Sequence, residues 1–200
     1  IDDTCLPKKG ERSVGVAPQY ASSLGKTANC QSLVSLTLAS GEVPVMVGLR
    51  LFLPETWTGD PDRMARARVP EDLQIALSKP EIALLEIDRV KAAGLRFGCV
   101  LAGAGYGSSG PFRQGLSARG LNWTVGLSRR QNVYPADVGL VFPEAGRGRR
   151  RKYHLPDREA VSAQQMLEAK TWRKVSWRRG TKGRLACQFA AARDRGPGDP

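Results

Sequence analysis

A short apolar run that ends in a glycine-rich turn constrains this chain more than any other stretch. Residues 97–102 read Phe-Gly-Cys-Val-Leu-Ala, and glycines follow at positions 103, 105, 107 and 110. The run predicts a short buried strand that includes Cys99, and residues 111–118 predict a helix. In an α/β sheet the carboxyl end of such a strand is where ligands and catalytic groups lie.

The glycines of this turn also permit a nucleotide-binding interpretation. Gly105, Gly107 and Gly110 fit the G-x-G-x-x-G spacing. In that motif, backbone N–H groups and a helix N-terminus hold a pyrophosphate. An acidic residue is expected about 20 positions later. Instead, the next predicted strand, 123–127, runs into Arg129 and Arg130, which suit a 2′-phosphate. An NADP-binding domain is therefore one alternative, and a tight turn without a ligand is the plainer interpretation.

A β-hairpin is the clearest element upstream. Residues 31–39 and 43–53 alternate apolar and polar side chains, Ser40-Gly41 supplies the turn, and Pro54 ends the second strand. Residues 55–68 are polar, charged and carry Pro61, so they predict a loop.

Residues 80–93 predict the best-defined helix. Ser78 and Glu81 have the capping-box spacing, and Gly94 suits the C-terminal cap. The expected core stripe is Ala83, Ile87 and Val90. The predicted order is strand, hairpin, helix, strand, helix and strand, which indicates a mixed α/β core and not a doubly wound fold.

The charge balance favours a polyanionic partner. Lys and Arg number 31 against 19 Asp and Glu, a net charge of +12. Such a surface favours nucleic acid first and an anionic membrane second. A basic run comprises Arg147, Arg149, Arg150, Arg151 and Lys152. In a second segment, aromatic residues alternate with cationic ones: Trp172, Arg173, Lys174, Trp177, Arg178, Arg179 and Lys182. The aromatic rings suit stacking on bases, and the cations suit contacts with phosphates. A non-catalytic DNA-binding module is therefore a further alternative.

The cysteines argue against a zinc site and against a disulfide framework. None of Cys5, Cys30, Cys99 and Cys187 are at C-x-x-C spacing, and His154 is the one histidine of the sequence. We expect four reduced cysteines in a cytoplasmic protein. No stretch approaches the roughly 18 apolar residues that a membrane span needs, so no membrane partner is expected.

Several segments in order resemble the catalytic core of bacterial insertion-sequence transposases of the DDE superfamily. They include Ile1-Asp-Asp-Thr4, Pro7-Lys-Lys-Gly10, Asn29-Cys-Gln31, Leu49-Arg-Leu-Phe-Leu-Pro54, Lys79-Pro-Glu81, Val100-Leu-Ala-Gly-Ala-Gly-Tyr-Gly107 and Trp177-Arg-Arg-Gly-Thr-Lys-Gly183. The resemblance implies a ribonuclease H-like mixed sheet, antiparallel strands and then helix–strand units, over residues 1–133. It implies a basic, β-rich insertion over residues 134–200.

The resemblance also implies a chemistry. In that family two Asp and one Glu hold two divalent cations, Mg²⁺ or Mn²⁺, which cut and join DNA strands at element ends and target. Asp3 is the expected first ligand and metal-binding residue, with Asp2 as the close alternative. Gly103 stands where the family has its second Asp, and the Glu is expected beyond Pro200.

The chain is therefore expected to be a transposase fragment, truncated at both ends and catalytically inactive, with DNA as its partner. The sequence leaves open whether the chain forms a homo-oligomer on DNA. Without metals to offset the charges of the Asp2–Asp3 pair, Asp3→Asn is expected to be neutral or mildly stabilising.

Overall fold

The structure is a computed structural model that describes residues 1–40, 43–142, 153–168, 170–191 and 194–195. The chain divides into two compact units, Ile1–Gly126 and Leu127–Pro200, which we call the first and second units. The predicted basic run at 147–152 lies outside the described residues. The predicted domain boundary between residues 133 and 134 stays a prediction.

A four-stranded antiparallel sheet forms the first half of the first unit. Its strands are β1 (Asp2–Pro7), β2 (Ala17–Ala21), β3 (Lys26–Ser40) and β4 (Val43–Leu51). One edge of β3 pairs with β1, with Asp2 opposite Ser35. The other edge pairs first with β2 and then with β4. The long strand β3 is therefore the centre of this sheet.

The predicted hairpin is confirmed as β3 and β4, with one departure in side-chain direction. The register shifts between Leu36 and Thr37, which face Gly48 and Met46, so Val47 is an extra residue in β4. A bulge of this kind reverses the side-chain alternation beyond it. Val43, Val45 and Met46 lie exposed on one side of the bulge, and Leu49 lies exposed on the other, so most of β4 is outside the core.

The predicted central helix is confirmed as α3 (Lys79–Ala92). Its capping box is complete, because the Ser78 N–H donates to Glu81 Oε2 at 2.7 Å and the Glu81 N–H donates to Ser78 Oγ at 3.4 Å. Gly94 follows the helix with φ +84°, which suits a C-terminal cap. The predicted stripe of Ala83, Ile87 and Val90 is buried.

The segment 55–68 is not the loop that its polarity predicted. It forms α1 (Glu55–Thr58) and α2 (Pro61–Arg66), with the Asp60 side chain accepting a hydrogen bond from the Arg63 N–H at 2.8 Å. Pro61 occupies the first turn of α2, where its missing N–H costs nothing. Trp57 and Met64 are buried in a small core with Val16 and Val69. Burial of these apolar side chains outweighs the polar composition of the segment.

The second half of the first unit alternates strands and helices: β5 (Val100–Ala102), α4 (Ala104–Gly107), α5 (Gly110–Ala118) and β6 (Trp123–Val125). Strands β5 and β6 are parallel, and their pairing begins at Val100 and Trp123. The strand predicted at 97–102 is therefore shorter, because residues 97–99 have no partner in that ladder. Cys99 is exposed, and the prediction that it is buried was wrong.

The main core lies between β3, α3 and the helices that follow β5. Ten buried residues form it: Val34, Leu36, Ile82, Ala83, Ile87, Val90, Val100, Tyr106, Phe112 and Leu116. Helix α3 is also joined to the end of α5, since the Arg119 guanidinium donates to both Asp88 oxygens at 2.6 and 2.7 Å. This hydrogen bonding lowers the pKa of Asp88 from its usual value.

The second unit contains short strands and one helix in its described residues. Its elements are β7 (Asn132–Pro135), β8 (Leu140–Val141), β9 (Leu155–Pro156), β10 (Val161–Ser162), α6 (Ala163–Glu168), β11 (Arg173–Gly180), β12 (Gly183–Phe189) and β13 (Asp194–Arg195). Strand β7 pairs with β10 and β13, β8 with β9, and β11 with β12.

Two glycines of the turn after β5 have different surroundings. A Cβ atom added to Gly107 would overlap the Gly126 carbonyl oxygen and lie 3.0 Å from Val125 Cβ. A Cβ atom added to Gly105 would meet nothing within 4 Å. The close approach of α4 to the end of β6 therefore requires glycine at 107 and not at 105.

We expect Gly107→Ala to destabilise the protein by about 3 kcal/mol or more, because backbone on either side must shift to admit the methyl group. The matched control, Gly105→Ala, should change the free energy of unfolding by less than about 0.5 kcal/mol. Urea denaturation followed by circular dichroism measures both. Equal effects of the two substitutions would contradict this packing.

Candidate active site

An acidic pair at the start of β1 lies beside the end of β5. The Ile1 amino group donates to the Leu101 carbonyl oxygen at 2.7 Å, which joins the two strands at this point. Asp2 is exposed and Asp3 is partly buried. The structure therefore brings the acidic pair and the end of the glycine-flanked strand together.

Gly103 directly follows β5 and faces Asp2. A Cβ atom built at position 103 has one neighbour within 4 Å, Asp2 Oδ1 at 3.9 Å. The φ angle of Gly103 is −70°, which any residue adopts. Position 103 therefore has both the space and the backbone conformation for a larger side chain next to the Asp2 carboxylate.

Asp2 is held by its neighbours on the sheet. The Asp3 N–H donates to Asp2 Oδ1 at 2.8 Å. The Ser35 hydroxyl donates to the Asp2 carbonyl oxygen at 3.0 Å from the facing position of β3. These two contacts fix the main chain and one carboxylate oxygen of Asp2.

Both carboxylate oxygens of Asp3 have partners within the protein. Lys79 Nζ lies 2.7 Å from Asp3 Oδ2, and the Tyr106 hydroxyl donates to Asp3 Oδ1. Lys79 is the first residue of α3, and its ammonium lies 5.4 Å from the centre of the Phe52 ring. Burial chiefly, and then the hydrogen bond to Asp3, raise the pKa of the Tyr106 hydroxyl, so it stays a donor.

The expectation that Asp3→Asn is neutral or mildly stabilising assumed that metals alone would offset these charges, and the Lys79–Asp3 ion pair contradicts that assumption. Lys79 supplies a positive charge to Asp3 from a position 76 residues away in the sequence. In the sequence, Lys79 and Tyr106 are marked only by their place in the resembling segments, and no role was predicted for either. Their place in those segments was the one signal that could have found them, since their contact with Asp3 is set by the tertiary fold.

The described donors do not fit a pair of divalent cations. No group of three or more His, Cys, Asp and Glu side chains that could hold a metal converges anywhere in the described part of the chain. At the acidic pair, Asp3 is already engaged by Lys79 and Tyr106, and position 103 has no side chain. Two cations close together need more oxygen ligands than Asp2 alone provides.

The predicted DNA-binding residues from 172 to 182 lie on and beside the β11–β12 hairpin of the second unit. Trp172 and Trp177 are exposed, and the edge of Trp177 meets the Phe189 ring at 5.7 Å between centroids. The register places Arg179 directly opposite Arg184, and Lys174 opposite Gln188. One face of the hairpin, which we call its basic face, thus carries Lys174, Arg179 and Arg184.

The residues of the nucleotide-binding alternative are divided between the two units. Gly105, Gly107 and Gly110 belong to the first unit, and Arg129 and Arg130 belong to the second. The packing against Gly126 accounts for glycine at 107 without a ligand. The alternative itself stays a prediction.

Comparison with known proteins identifies the family. A family model described as DDE superfamily endonuclease matches residues 1–184. A probable transposase for insertion sequence element IS701 of Microchaete diplosiphon is 31% identical over 139 residues. That match covers 67% of this chain and 32% of the relative, so the chain corresponds to about a third of that protein. No solved structure matches.

The fold agrees with this comparison. The structure is a mixed α/β arrangement consistent with a DDE nuclease fold. No helix among the described residues is long and apolar enough to cross a membrane. Because the family model matches more than half of the chain, this protein belongs to the DDE superfamily endonucleases.

Proposed function

We propose that this chain is part of an insertion-sequence transposase and that it binds DNA but does not cut it. The observation that carries the proposal is the contact between Asp2 and position 103. An acidic residue at the start of β1 faces the end of β5, where the resembling family has its second Asp and this chain has Gly103. In this proposal Asp2 and position 103 are two of the three ligand positions of a DDE centre, and position 103 lacks its side chain.

The proposal includes a ribonuclease H-like order of strands in the first unit. In the first unit β4, β3 and β1 are neighbours in that order, and β5 pairs in parallel with β6. The hydrogen bond from Ile1 to Leu101 connects β1 to β5. We propose the order β4-β3-β1-β5-β6, in which the sheet continues from its antiparallel half into its parallel half beside the acidic pair.

The family generally uses divalent metal ions. This chain's donors do not provide for a pair of them, because Asp3 is engaged by Lys79 and Gly103 has no side chain. Phosphodiester cleavage that relies on such a pair is therefore not expected of these 200 residues. What the chain retains is the fold that would position the site, together with a surface for DNA.

The β11–β12 hairpin supports DNA as the partner. Residues 171–191 contain six cations and no acidic residue. Arg179 and Arg184 face each other across the hairpin, and like charges directly opposite each other destabilise a strand pair. A phosphate between them removes that repulsion and gains charge-assisted hydrogen bonds. The exposed indole of Trp177 offers an additional surface for stacking.

We expect this chain to bind duplex DNA without strong sequence preference and with steep salt dependence. If it binds about four to six phosphates, affinity should fall on the order of 100-fold or more between about 50 and 200 mM salt. The combined reversal Lys174→Glu, Arg179→Glu and Arg184→Glu should flatten the slope of log affinity against log salt by about 1 for each phosphate that is no longer bound. Fluorescence anisotropy with a labelled duplex measures the slope.

The matched control reverses three exposed arginines of the first unit, Arg12, Arg66 and Arg96, to Glu. It changes the net charge equally, so an equal flattening of the slope would show that total charge and not the hairpin governs binding. A salt-independent affinity of the parent would reject DNA binding through the basic segments.

We expect Gly103→Asp to create a weak site for one divalent cation, because the new carboxylate would lie next to Asp2. Mn²⁺ or Mg²⁺ should then raise the melting temperature of this variant and not that of the parent. Gly103→Asn has nearly the same shape without the charge and should show no such rise. Differential scanning calorimetry with and without metal makes the comparison.

Neither the parent nor Gly103→Asp should cut a plasmid that carries insertion-sequence ends. Metal-dependent cleavage by the unmodified chain would overturn the proposed inactivity. An equal metal response in the Asp and Asn variants would show that position 103 is not the missing ligand position.

A further inference from the structure

We propose that the two adjacent aspartates have separate tasks: Asp2 is the carboxylate presented toward position 103, and Asp3 is a positioning residue held by Lys79 and Tyr106. This inference rests on the proposed function and deepens it. It also revises the expectation from the sequence, which favoured Asp3 as the metal ligand.

The pleat of β1 separates the two side chains. Successive residues of a strand point to opposite faces of the sheet, so Asp2 and Asp3 cannot present their carboxylates to the same point without distortion. Asp3 is opposite Val34, which is fully buried in the core that α3 covers. Asp2 is opposite Ser35 and has Gly103 beside it.

Each carboxylate oxygen of Asp3 already has a partner, so a metal ion there would compete with a cation and a hydroxyl donor. Lys79 occupies one oxygen at 2.7 Å, and the Tyr106 hydroxyl occupies the other. The Lys79 and Asp3 side chains are 23% and 25% exposed, so the pair is shielded from water over most of its surface. A metal ion at Asp3 would have to displace an ammonium group that has already neutralised the carboxylate.

Lys79 is itself held in place. It begins α3 immediately after Ser78, whose capping box with Glu81 fixes the start of the helix. Its ammonium also lies near the face of the Phe52 ring. Lys79 therefore acts as a built-in counter-ion for Asp3, and it leaves a single negative charge, that of Asp2, at the exposed side of the pair.

Asp3 acts on the site through its backbone. Its N–H donates to Asp2 Oδ1 at 2.8 Å, and this same Oδ1 atom is the one that lies 3.9 Å from the Cβ position of residue 103. Anchoring the Asp3 side chain to α3 and α4 therefore sets the direction of the Asp2 carboxylate. Groups that orient a metal ligand in this way typically contribute a factor of about 10 to 100 in metal affinity.

The first arm of the test measures Mn²⁺ affinity by electron paramagnetic resonance in the Gly103→Asp chain. Adding Asp2→Asn should abolish binding. Adding Asp3→Ala should weaken it by about tenfold, and Asp3→Asn should recover part of that affinity because its amide oxygen still accepts from Lys79 or Tyr106. Circular dichroism verifies that each variant is folded. If Asp3→Ala unfolds, Tyr106→Phe replaces it, because this change removes one partner of Asp3 without altering the charge of the site and should also weaken binding.

The opposite pattern would overturn the division of tasks. If Asp3→Asn abolishes Mn²⁺ binding and Asp2→Asn retains it, Asp3 is the ligand. If Asp3→Ala and Tyr106→Phe leave the affinity of the Gly103→Asp chain unchanged, Asp3 does not position Asp2. A purely structural role of Lys79 and Asp3 would lower the melting temperature without changing Mn²⁺ affinity.

The second arm needs no metal and uses the unmodified chain. Asp3→Ala, Lys79→Met and their combination form a double-mutant cycle in urea denaturation, and strong coupling is expected because each single change leaves a charge without its partner. Additive effects of the two substitutions on the free energy of unfolding would reject the Lys79–Asp3 pairing and leave the proposed function untouched. Absence of Mn²⁺ binding in Gly103→Asp would instead reject position 103 as the missing ligand position, and with it the role of Asp2.

Discussion

The carboxylate of Asp3 joins three elements that are far apart in the sequence. It lies on β1, its ammonium partner begins α3, and its hydroxyl partner lies on α4. A partly buried carboxylate is unfavourable without partners, so this arrangement is stable only when all three elements are in place. The position of Asp2 relative to the end of β5 depends on that arrangement.

Under the proposed function, the same contacts explain how the fold persists with glycine at position 103. In the core, Val34 and Leu36 of β3 pack with Ile87 and Val90 of α3, and none of these residues belongs to the acidic pair. Asp3 obtains its counter-charge from Lys79 and not from a bound cation. Glycine at the proposed ligand position 103 therefore leaves no unpaired charge at Asp3.

Local signals allowed part of the fold to be predicted from the sequence. The β3–β4 hairpin and α3 with its capping box depend on alternation, turn residues and cap spacing, all of which lie within a few residues of each other. The segment 55–68 was predicted wrongly because its polar composition conceals two buried side chains, Trp57 and Met64. Their burial depends on Val16, some 40 residues earlier, which a local pattern does not reveal.

The candidate site, too, was only partly predictable from the sequence. The resemblance predicted that the acidic pair and Gly103 belong together, and the structure places them side by side. The partners of Asp3 were not predictable, because they are 76 and 103 residues away and their contacts arise from tertiary packing. Adjacent aspartates in a strand do not reveal which one meets the other half of a site unless the faces of the sheet are known.

Anomalous diffraction from Mn²⁺ in crystals of the Gly103→Asp chain would test the central claim most directly. The account predicts one anomalous peak between the Asp2 carboxylate and the new carboxylate at position 103, with Lys79 still in contact with Asp3. A peak bound to Asp3 with Lys79 displaced would contradict it, as would a structure in which residues 2 and 103 are not neighbours.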